Sequence, residues 1–215
     1  IPHWPTPLDA ETRRATILPV FQEWWLSADG SFVLEQRTGA ELRPDGTIDP
    51  NPPLRAPEFS RDSSPAGSMP DTVTQLSRDP TTLRAELLTG MPPECTTAAD
   101  ITAACLLEQT AWLSTTYLIP GDLAATLWET LATEPAIHTL GRTRDRAGRE
   151  VVALAAPPRD SDYGTTVLVL LADPTTGRMV GTETITLATD YLEIEGPTVT
   201  AFTTITDARL LPTSG

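Results

Sequence analysis

The chain has 215 residues, enough for one domain with a sizeable core, and a formal net charge of −14. That charge repels phosphate backbones, so nucleic acid is not an expected partner, and no run of about 18 apolar residues exists to cross a membrane as a helix. All fifteen basic residues are Arg, which removes Schiff-base and lysine-base chemistry.

Residues 1–16, "IPHWPTPLDAETRRAT", read as an extended Pro-rich lead-in. The start at Ile1, with no Met and no signal segment, reads as a trimmed or mature form from which an anchor has been removed. "ILPVFQEWWLSADGSFVLEQRTGAELR" predicts two strands around Asp29-Gly30, because an Asp-Gly pair between aromatic and β-branched runs is a strong hairpin signal. Trp24 and Trp25 then point to opposite faces of one strand. One is expected to meet the helices, and the other needs a different cover. Residues 44–70 hold seven prolines and read as a long irregular loop within the same domain.

Three helices are expected next. In "SRDPTTLRAELLTG", Asp79 is the N-cap, Pro80 the first helical residue and Gly90 the stop. "TTAADITAACLLEQTAWLSTTYL" carries a stripe of Ile101, Cys105, Leu106, Trp112 and Leu113 at roughly helical spacing. "PGDLAATLWETLATEP" places Leu123, Leu127, Trp128 and Leu131 on one face and ends before Pro135. Cys95 and Cys105 are an isolated pair without metal spacing and without a nearby His. They suit two buried thiols or one disulfide; the disulfide is preferred, with a return loop bringing Cys95 back against the helix, and it implies an oxidising compartment.

The remainder reads as an antiparallel meander with strands near 136–144, 149–156, 164–172, 178–188 and 197–209. "RDRAGRE" and "DPTTGR" are two of its turns, each with a late Gly. In the second, Asp173 and Pro174 start the turn and Gly177 takes the positive φ. "TTVLVLLAD" is apolar on both sides and needs cover on both faces. "GTETITLA" and "TVTAFTTITDARLL" alternate, as strands with one wet face do. The order of elements predicts an α+β fold: a curved, half-barrel-like antiparallel sheet of about seven strands with about three helices on one face.

"LSRDPTTLRAELL", "LWETLATEPAIHTLGRTRDRAGREVVALA" and "LLADPTTGRMVGTET", in that order, resemble a family of uncharacterised actinobacterial membrane-anchored proteins associated with sigma-factor regulation. The likeness covers roughly residues 70–187. The chain departs from the pattern at "EPAIHTLG", where Pro-Gly-Val is usual, and at Ala172, where Phe is usual. The resemblance implies an extracytoplasmic domain tethered to the cell membrane through a segment outside this chain, and it supplies no catalytic residues. By fold analogy it is similar to the half-barrels of periplasmic lipoprotein carriers and of a periplasmic regulator of an envelope-stress anti-sigma factor.

No nucleophile elbow, P-loop, zinc-protease or EF-hand motif occurs, and the two histidines are His3 and His138. No catalytic residue, metal or cofactor is therefore expected. Asp160 and Asp162, and Asp190, Glu193 and Glu195, could offer oxygens to Ca²⁺, though solvated loops are the preferred reading. Arg142, Arg144, Arg146 and Arg149 could bind an anion, but read first as a hairpin protected by charge. Trp24, Trp25, Trp112 and Trp128 are the candidate lining of an apolar cleft between sheet and helices; core packing is the plainer reading. The expected function is a non-enzymatic extracytoplasmic domain, sensory or regulatory, that binds a ligand or a protein partner. The rivals are a carrier of a lipid or other hydrophobic ligand in that cleft, and a hydrolase with an unrecognised site.

Overall fold

A computed structural model describes residues 20–38, 59–67, 72–161, 164–190, 194 and 196–209. The lead-in at 1–16 and most of the Pro-rich stretch at 44–70 lie outside them. The architecture is α+β, with antiparallel strands in two open sheets, one of three strands and one of six.

Strands β1 (Val20–Leu26) and β2 (Phe32–Thr38) form the expected hairpin. Gly30 takes a φ of 77°, which a turn this tight demands and a side chain would resist. Asp29 Oδ1 accepts from the Ser31 hydroxyl at 2.7 Å and the Ser31 amide at 2.9 Å, and these bonds hold its carboxyl below the ordinary carboxylate range. The hairpin does not join the meander. It forms its own sheet with β3 (Phe59–Ser64), which pairs with the far edge of β2. Strand β3 falls inside the stretch read as loop. Its sequence, "FSRDSS", has one apolar residue and so no buried-face pattern; edge pairing makes it a strand, and a sequence period cannot report that.

Helix α1 (Pro80–Leu88) starts as read: Asp79 accepts from the Thr82 amide at 2.8 Å and Pro80 follows. The chain leaves it through Gly90 at φ 79°. A single 3₁₀ turn, Pro93–Thr96, then brings Cys95 back against α2 (Ala99–Thr116), where a disulfide joins it to Cys105 with the Cα atoms 5.8 Å apart. The Thr102 hydroxyl, bonded to the Cys95 carbonyl at 2.7 Å, fixes the same return. A bridge closing so short a loop contributes roughly 2–3 kcal/mol through the unfolded chain. It also fits an oxidising, extracytoplasmic environment. No helix among the described residues is long and apolar enough to cross a membrane.

The stripe read on α2 holds at Cys105, Leu106 and Leu113 and fails at Trp112. Residues 102–107 are all buried, and the face continues through Thr110 and Leu113, whereas Trp112 is 45% exposed. One residue turns the helix by about 100°, enough to put Trp112 outside. α3 (Gly121–Ala132) buries Leu123, Leu127 and Leu131 and half-buries Trp128. Arg84 pairs with the buried Glu134 at 2.8 Å, tying α1 to the end of α3.

The larger sheet runs β4 (His138–Arg144), β5 (Glu150–Ala155), β7 (Gly164–Ala172), β8 (Met179–Ala188), β9 (Thr198–Thr204), with the short β6 (Arg159–Ser161) paired to β7. Strand β7 is central, and both of its faces are buried, as its sequence requires. Leu170 and Ala172 join Leu154 against the helices, while Val169 and Leu171 join Val151, Ala153 and Ala155 in a second cluster that contains no helical residue. Over that second face Arg146 pairs with Glu183 at 2.8 Å and lies 5.7 Å from the Phe202 ring.

"DPTTGR" is the turn between β7 and β8. The Gly177 amide donates to the Asp173 carbonyl and the Asp173 amide to the Arg178 carbonyl, both at 2.9 Å. Amide bonds from Thr176 and Thr175 hold the Asp173 carboxyl below its usual range. Gly177 has φ 67°, and nothing lies within 4 Å of where a Cβ would sit. Gly177→Val should therefore destabilise the fold by about 1 kcal/mol or more through backbone strain alone. Urea unfolding checks this, and an unchanged midpoint would contradict the turn geometry.

Candidate functional site

The cleft expected between sheet and helices exists but is nearly filled. Thr110 and Ser114 of α2, Tyr117 and Ile119 after it, Leu127 and Trp128 of α3, Leu170 of β7 and Arg178 and Met179 at the β7–β8 turn surround it. The void measures about 50 Å³. Ligand pockets for small molecules run from about 300 to 1,000 Å³. Its lining includes no carboxylate and no imidazole; Tyr117 and Arg178 are the ionisable side chains around it. The Thr110 hydroxyl beside it is buried and has no hydrogen-bond partner among the described residues.

The four candidate tryptophans do not meet there. Trp128 lines the cleft. Trp112 lies outside it, with its ring edge-on to Tyr117 at 5.9 Å. Trp24 and Trp25 are on the three-stranded sheet, 41% and 37% exposed, and neither packs on the helices as one was expected to. The reason is the topology: the hairpin pairs with β3 instead of extending the meander.

That small sheet is the second candidate. Among the described residues, no substantial packing joins it to the helices or to the larger sheet. The register sets Trp24 opposite Leu34 and Leu26 opposite Phe32 on one face, with the Trp24 and Phe32 rings 5.4 Å apart. On the other face Trp25 opposes Val33, and Glu23 directly opposes Glu35. Arg61 of β3 pairs with Glu35 at 3.3 Å, while Glu23 has no ion-pair partner among the described residues. Trp25, Val33, Glu35 and Arg61 line an open hollow of about 250 Å³, wider than the void behind the helices. Among the described residues, strand β1 is an edge. Because the Ser27 amide donates to the Ser31 carbonyl across the turn, ladder alternation points the Trp25 and Glu23 amides at β2 and the Leu26, Trp24 and Gln22 amides outward.

Other candidates resolve into structure. Each Arg of the β4–β5 hairpin is engaged. Arg142 pairs with Glu150, Arg144 donates to the Gly148 carbonyl, and Arg146 pairs with Glu183. Arg149 holds the buried Asp145 carboxylate and reaches the Ile205 and Val180 carbonyls. Asp160 accepts from the Thr165 hydroxyl at 2.6 Å; Asp162, Glu193 and Glu195 lie outside the described residues. No metal-binding cluster occurs among the described residues. His138 is exposed at the start of β4, opposite Ala155. The sequence reading passed over Glu23, Glu35 and Arg61. A hairpin centred on Asp29 fixes the Glu23–Glu35 pairing arithmetically, so that signal was present; β3, and with it Arg61, was not foreseeable.

Comparison of the chain with family models, curated proteins and solved structures found no match.

The cleft geometry makes Trp128 a packing residue. Trp128→Ala should cost about 2–3 kcal/mol, below the range for a fully buried Trp, and Trp24→Ala should cost much less. Chemical denaturation of both variants checks this. Equal losses would mean that the exposure of the small sheet has been misjudged.

Proposed function

We propose that this chain is a non-enzymatic, extracytoplasmic protein-binding domain that receives its partner on the three-stranded sheet. One observation carries the reading: an edge strand with Val20, Trp24, Trp25 and Leu26 all more than a third exposed, whose outward amides at Gln22, Trp24 and Leu26 find no partner among the described residues. Soluble proteins usually protect such strands with Lys, Pro or a covering element, because an open apolar edge recruits other chains. Clustered exposed aromatics mark interaction surfaces. A partner that adds a strand would satisfy the outer amides and cover the tryptophans together.

The disulfide supports the compartment. The tether to a cell membrane and the regulatory role rest on the family resemblance. The carrier reading has less support, since an acyl chain would have to open a void of about 50 Å³ by displacing packed side chains. The hydrolase reading has no carboxylate or imidazole in the cleft behind it, and both cysteines are committed to a bridge.

A heptapeptide library displayed on phage tests the reading. Selection on the wild-type chain should enrich β-branched sequences, and Gln22→Pro should abolish their retention. The Gln22 amide faces outward, where Pro is tolerated on an edge strand but cannot donate to an added one. No enrichment, or enrichment indifferent to Gln22→Pro, would defeat it.

A further inference from the structure

We infer that the segment received by β1 is an extended strand with Lys or Arg at the position opposite Glu23, flanked two residues away on each side by apolar side chains. The inference rests on the docking reading above and specifies its chemistry.

The argument starts from the register. Glu23 and Glu35 are cross-strand partners, and like charges directly opposite each other disfavour a sheet. Arg61 relieves Glu35 from the β3 side, leaving Glu23 at the open edge. The Glu23 amide points at β2, so in an antiparallel addition Glu23 falls in a non-hydrogen-bonded pair. In such pairs the Cα atoms approach to about 4.5 Å and the side chains lie closest. A cation there meets Glu23 directly. On the same face Phe21 and Trp25 flank Glu23 and call for apolar side chains two residues to either side. On the opposite face the intervening positions meet Trp24 and Gln22, which suits Thr or Val. The chain's net charge of −14 favours approach of a basic segment over an acidic one.

The same charges weigh against a second copy as the occupant. Antiparallel pairing of two β1 strands about their midpoint sets Glu23 against its own counterpart, and brings together two chains of net charge −14.

The test uses the whole chain and two blocked, fluorescently labelled peptides, Thr-Val-Thr-Arg-Thr-Val-Thr and the same sequence with Glu at its centre. Anisotropy should show the Arg peptide binding about five- to tenfold more tightly than the Glu peptide at low salt. Glu23→Arg should invert that order, and Gln22→Pro should remove binding of both. Equal affinities that Gln22→Pro still abolishes would overturn the charge assignment while leaving the docking surface standing. A preference for the Arg peptide that survives Gln22→Pro would overturn placement at this edge. Absence of binding by either peptide would overturn the inference. So would concentration-dependent self-association of the chain in sedimentation that Gln22→Pro abolishes, since the occupant would then be a second copy.

Discussion

The structure depends on a strand that needs cover on both faces. Strand β7 has no polar residue from Val167 to Ala172, so neither face can meet water without losing the hydrophobic stabilisation that makes it central. Alternation sends Leu170 and Ala172 toward the helices and Val169 and Leu171 the other way. α2 and α3 exist as packed helices because the first set needs them. The small residues of β5, Ala153 and Ala155, let the second cluster close, and the half-buried Arg146–Glu183 pair spans its rim.

The three-stranded sheet obeys the opposite rule. Strands β1 and β2 carry aromatics, yet no described residue on either face falls into a core cluster. Three short strands that bury no common face contribute little stability of their own. Exposed tryptophans on such a sheet are costly to keep unless another surface covers them. The contrast between a satisfied β7 and an unsatisfied β1 is what supports the proposed docking on the small sheet over the cleft, where apolar side chains have already filled the space.

Much of the larger unit was legible from sequence because its signals are local. Asp79-Pro80 started α1, Gly90 followed its end, the Asp173–Gly177 turn took its expected form, and the isolated cysteine pair is bridged. What failed to show depended on distant pairing. Nothing in "FSRDSS" announces a strand, so the partner of β2 was missed, and with it the separation of the hairpin from the meander. Trp112 adjoins the buried Leu113, and α2 is buried nearly all round at residues 102–107, so the apolar pattern does not mark which neighbour of Leu113 faces water. Of the four candidate tryptophans, Trp24 and Trp25 stay in the candidate site, now with Glu23 beside them, while Trp112 and Trp128 leave it.

Residue-resolved amide exchange of the chain, alone and with the Arg-centred peptide, tests the open edge most directly. The account predicts protected amides at Glu23 and Trp25, which face β2, and rapid exchange at Gln22, Trp24 and Leu26, which face outward, with the second set slowing when the peptide is added. Equal protection of both sets in the chain alone would contradict it, because the edge would then already be occupied.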